Sequence, residues 1–90
     1  MAVAHSQVVV AATATVIADA GRDRDGFAVI VQNPSGGSSV FIGGSTVTST
    51  VYGHALAAGA TLEVVLKQGE TIYGIVATGT ITVNVLRVGA

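Results

Sequence analysis

Ninety residues with 50% hydrophobic, 10% charged and 4% aromatic side chains, and a formal net charge of −1, describe one small, nearly neutral domain. With no cysteine there is neither a disulfide framework nor a thiolate metal site, and four Lys and Arg in all give no basic footprint for nucleic acid. No apolar run reaches the ~18 residues of a membrane-spanning helix, and no charged region precedes the apolar start as a secretory signal requires, because the first Lys or Arg is Arg22.

Taken in chain order, residues 1–6 form an expected flexible or lattice-binding N-terminal arm. Gln7 to Ala18, rich in Val, Ala and Thr, reads as one long strand or as two shorter ones bending near Ala11 and Ala12. Arg22-Asp23-Arg24-Asp25 is the densest charge feature, and Asp25-Gly26 closes that polar loop. Phe27 to Gln32 is apolar on both faces, which suits a central strand. Asn33-Pro34 opens a turn because proline presets φ. Val40-Phe41-Ile42 is a short strand between two glycine clusters, with Phe27 and Phe41 expected in the core.

Ser45 to Ala60 shows little strand character, although Val47 to Val51 could pair and His54 to Ala58 could form one helical turn. Thr61 to Lys67 alternates with Leu62, Val64 and Leu66 inward and Glu63 outward. Gln68-Gly69-Glu70 reads as a hairpin loop leading to a strand over Ile72 to Ala77. After a tight Thr78-Gly79 connection, Thr80 to Val85 alternates with Ile81, Val83 and Val85 inward. The expectation is all-β: a small β-sandwich or barrel, jelly-roll-like, of seven or eight short, mostly antiparallel strands filling residues 1–90.

Catalytic machinery is hard to assemble from these residues. The glycine clusters lack the Gly-Lys-Ser/Thr ending of a phosphate loop and the spacing of a dinucleotide fingerprint, so they read as positive-φ turn positions. No G-x-S-x-G elbow accompanies the serines, and the two histidines, His5 and His54, lie in no catalytic pattern. Asp19, Asp23 and Asp25 have a spacing reminiscent of calcium loops, but Arg22 and Arg24 interleave and would repel a cation. The expectation is therefore no enzyme, no cofactor and no metal. The four aromatics, Phe27, Phe41, Tyr52 and Tyr73, are few for a glycan platform.

Five short stretches carry a resemblance: Val31-Gln32-Asn33, Val40 to Gly44, Leu56 to Leu62, Gly69 to Ala77 and Gly79 to Leu86. Over roughly residues 7 to 88 the chain resembles small β-rich virion proteins of tailed bacteriophages, of the capsid decoration (cement) type. The family's loop arginine matches Arg22 or Arg24. The resemblance implies a structural protein on the outer capsid surface of the virion, partnered by the major capsid protein, with self-association a further expectation. Composition and the lack of a spanning apolar run add the expectation of no nucleic-acid and no membrane partner. A minor head–tail or tail subunit is the alternative, followed by a glycan-binding host-attachment module. The expected contact residues are Ala2, Val3, Ala4 and His5 in the N-terminal segment, Arg22, Asp23, Arg24 and Asp25 in the charged loop, and Thr46, Val47, Thr48, Tyr52 and His54 downstream.

Overall fold

The computed structural model describes residues 3–19, 27–34, 37–67 and 69–88. They form eight strands: β1 (Val3–Val10), β2 (Thr15–Asp19), β3 (Phe27–Gln32), β4 (Val40–Gly43), β5 (His54–Leu56), β6 (Thr61–Leu66), β7 (Thr71–Ile75) and β8 (Ile81–Val88). A front sheet has the order β1-β8-β3-β6 and a back sheet the order β2-β7-β4-β5. Every pairing is antiparallel. Of the two expected architectures, the fold is the sandwich, with the strand order of a jelly roll.

Alternation decides which face each strand buries. Val29, Val31, Val83 and Val85 of the front sheet meet Ile17, Val40, Ile42 and Leu56 of the back sheet in one cluster. These side chains are mostly β-branched and suit the pleated surface. In β2 the register slips between Val16 and Ala18, so two successive residues, Ile17 and Ala18, are both buried. Such a bulge turns an extra side chain to the same face. Leu56 is fully buried, and Leu56→Ala is expected to lower stability by about 2–5 kcal/mol. Urea unfolding followed by circular dichroism checks this; a loss below about 1 kcal/mol contradicts the single shared core.

The chain changes sheets at every connection except β4 to β5. This corrects the hairpin expected at residues 68–70. The turn between Lys67 and Glu70 is tight, with Glu70 N–H donating to Lys67 O at 2.9 Å, but it links β6 of the front sheet to β7 of the back sheet. The connection that starts at Asn33 likewise carries the chain from front to back. The sandwich needs such crossings, because consecutive inward-facing strands fill opposite walls of one core.

Further differences concern local form. The N-terminal region is two strands in different sheets, separated by residues 11–14. Val3 to Ser6 are not an arm: their backbone pairs with β8, from Val3 opposite Val88 to Ser6 opposite Val85. His54 to Leu56 is a strand, not a helical turn, because Ala55 and Leu56 pair with Phe41 and Val40. Gly37, Gly43 and Gly44 have no positive φ; Gly59, Gly69 and Gly79 do. Gly43 serves a close approach, since a Cβ there would lie 3.1 Å from Val47 Cγ2.

Candidate functional site

Ala2 and the Arg22-Asp23-Arg24-Asp25 loop lie outside the described residues. The other expected contact residues fall on opposite faces of the sandwich. Ala4 and His5 are exposed on β1 of the front sheet, and Val3 contributes its backbone there. Thr46, Thr48, Tyr52 and His54 are exposed on the β4–β5 connection and the start of β5, on the back sheet. The fold does not bring the two sets together.

Over β4, the back sheet's outer surface is covered by its own loop. Gly53 N–H donates to Ile42 O at 2.8 Å, and Thr48 N–H to Val51 O at 2.8 Å. Val47 is only 6% exposed, packed against Gly43. This corrects its place among the contact residues: it fastens the loop and is not free to meet a partner. Phe41, expected in the core, is half-buried with its ring centroid 4.7 Å from that of Tyr52. The alternation that buries Val40 and Ile42 turns Phe41 outward, where Tyr52 covers it.

Among the described residues, the front sheet's outer surface is open. Its side chains stand in rungs that cross all four strands in register. One rung is Gln7, Asn84, Gln32 and Thr61. Gln7 Nε2 donates to Asn84 Oδ1 at 3.0 Å, and Asn84 Nδ2 donates to Gln32 Oε1 at 3.0 Å. These amides use each other's donors and acceptors, which holds three side chains in one orientation. The next rung is His5, Leu86, Ile30 and Glu63, apolar in the middle and polar at both edges. Beyond it stand Val88, Ala28 and Val65, with Val65 63% exposed. The first rung, together with His5, Ile30 and Leu86 of the second, lines an open depression of about 710 Å³.

Sequence reasoning singles out only the His5 end of this surface. The rest is hidden because it depends on the register of four strands drawn from distant parts of the chain. The available signal is the outward half of each alternating strand: Ile30 and Leu86 are apolar where a solvent-facing strand surface would carry polar groups.

Chemically, the surface offers fixed amides, a short apolar stripe and an open, regular relief. That suits docking against another protein surface better than enclosing a small molecule. Among the described residues no group of three or more His, Cys, Asp or Glu could hold a metal ion.

No family model matches the chain, and no curated protein matches it significantly. A solved structure described by the words "Bacillus endospore appendages form a novel family of disulfide-linked pili" is similar in fold, with a TM-score of 0.56 and 18% identity. The match covers 96% of this chain and 87% of that one. It supports the eight-stranded sandwich. With no cysteine in its sequence, this chain has no thiol for a disulfide link of its own.

Proposed function

We propose that this chain is a non-enzymatic structural protein of a tailed-bacteriophage virion, docking on the outer capsid surface and reinforcing contacts between major capsid subunits. The observation that carries the docking reading is the open outer face of the front sheet, with its aligned rungs and the apolar stripe of Ile30 and Leu86. The sequence resemblance supplies the capsid as partner. The fold likeness to a pilus protein is compatible with a role in an assembled particle. The stabilising effect would come from apolar area removed from water, about 25 cal/mol per Å², repeated at every equivalent site of the shell.

The N-terminal segment enters this reading differently from the expectation. Removing Ala2 to His5 deletes three of the eight paired positions of β1, Val3, Ala4 and His5, so it damages the sheet as well as any contact. Substitution on the outer face is the cleaner probe. In co-sedimentation with undecorated capsids, the wild-type protein should bind saturably. Ile30→Glu combined with Leu86→Lys should weaken binding at least ~10-fold, the equivalent of about 1.4 kcal/mol, with an unchanged circular dichroism spectrum. Absence of saturable co-sedimentation by the wild type would count against the capsid as partner. Binding undisturbed by the double substitution would count against the front sheet as the docking face.

A further inference from the structure

Among the described residues four strands lie at sheet edges, and they are not equally guarded. An unpaired strand edge invites pairing with another chain unless it is short, bulged or charged. In the back sheet, β5 has three residues, and β2 carries a bulge and ends in Asp19. In the front sheet, β1 is eight residues long, has no register break along β8, and contains neither proline nor any Asp, Glu, Lys or Arg. The opposite edge, β6, is regular along β3 and carries one charged side chain, Glu63.

We infer that β1 of one copy pairs with β6 of the next, so that the front sheets of successive copies run on as one sheet. Three independent features fit. Direction comes first: the front sheet has four strands, all antiparallel, so its two edges run oppositely. A neighbour in the same orientation therefore brings β1 antiparallel to β6, the pairing every other strand already uses. Register comes second: Gln7 and Thr61 end one rung, and His5 and Glu63 end the next. Setting Gln7 opposite a neighbour's Thr61 sets His5 opposite the neighbour's Glu63 without any slip.

Charge comes third. His5 and Glu63 are exposed on the same outer face, and an imidazole N–H is a good donor to a carboxylate. The carboxylate that shields β6 from indiscriminate partners thus admits a strand with histidine at the matching position. A contact between two different edges leaves a free edge at each end of a dimer, so further copies add beyond it. This inference stands whether or not the capsid is the partner.

The test uses the whole chain and two variants, His5→Glu and Glu63→Lys, followed by sedimentation velocity and light scattering over a wide concentration range near pH ~6, where an ordinary histidine is largely charged. The wild type should show a mass that keeps rising with concentration beyond a dimer. Each variant alone should associate about tenfold more weakly, because it sets like charges directly opposite each other across the new strand pair. The two variants mixed should regain wild-type association, since the carboxylate introduced at position 5 then faces the ammonium introduced at position 63. A wild type that stays monomeric, or stops at a closed dimer, overturns the inference. So do single variants that associate like wild type, and a mixture that stays as weak as its components.

Discussion

Asn33→Asp is expected to be among the most damaging single-atom exchanges in this domain, lowering stability by at least ~4 kcal/mol. Asn33 is fully buried, and its Nδ2 donates to Ser38 O at 2.9 Å and to Leu56 O at 3.0 Å. Its main chain is committed as well, with its N–H donating to Ala60 O at 3.0 Å and its carbonyl accepting from Gly59 N–H at 2.7 Å. One residue thus ties the front-to-back crossing after β3 to the crossing between β5 and β6. Aspartate keeps the shape but sets a carboxylate oxygen where the donor stood, facing two carbonyl oxygens. Removing the side chain is milder: Asn33→Ala leaves those carbonyls unpaired and should cost about 2–4 kcal/mol. A domain of this length has roughly 5–13 kcal/mol to lose. The ordering is read from urea midpoints; an aspartate variant at least as stable as the alanine variant would refute the donor role.

Gly74→Val is the second large effect, and it acts by crowding instead of by lost hydrogen bonds. Gly74 sits in β7 facing the core, where an added Cβ would lie 2.5 Å from Ile17 Cδ1, 3.2 Å from Ile17 Cγ1 and 3.3 Å from Val40 Cγ1. Ile17 is only 2% exposed, so its terminal methyl has little room to swing away. Alanine should cost about 1–3 kcal/mol, the usual range for overpacking, and valine more. Because the clash is chiefly with one side chain, shortening that side chain should relieve it. Gly74→Val combined with Ile17→Ala should be less destabilised than the sum of the two single changes, by at least ~0.5 kcal/mol. Strict additivity in thermal or urea unfolding would mean that the backbone, and not Ile17, absorbs the strain.

These two residues also mark where sequence reading stops. The alternations in residues 61–67 and 80–85 locate β6 and β8 and their buried faces, because a period of two is a local signal that needs no partner. The apolar run Phe27 to Gln32 points to a central strand for the same kind of reason, and β3 does lie between β8 and β6. Turn chemistry at 68–70 gives the position of a reversal but not its destination, since a tight turn looks alike whether the next strand pairs with the last or crosses to the other sheet. The three-residue β5 is lost among alanines, and only the register with β4 makes it a strand. Asn33 looks like a turn opener; its partners, Ser38 and Leu56, lie 5 and 23 residues away. The outer face of the front sheet is partly legible through His5, but its rungs exist only once four separate strands are aligned.

β8 lies between β1 and β3 in the front sheet. During synthesis, therefore, the first strand made has no neighbour in its own sheet until the last of the eight has emerged. Non-local closure of this kind is intrinsically slow, and it delays the appearance of a properly ordered edge. A nascent or truncated chain lacking β8 cannot present the aligned rungs that the inferred edge-to-edge joining would use. On that inference the topology acts as a timer: copies would become competent to join only after each has finished folding.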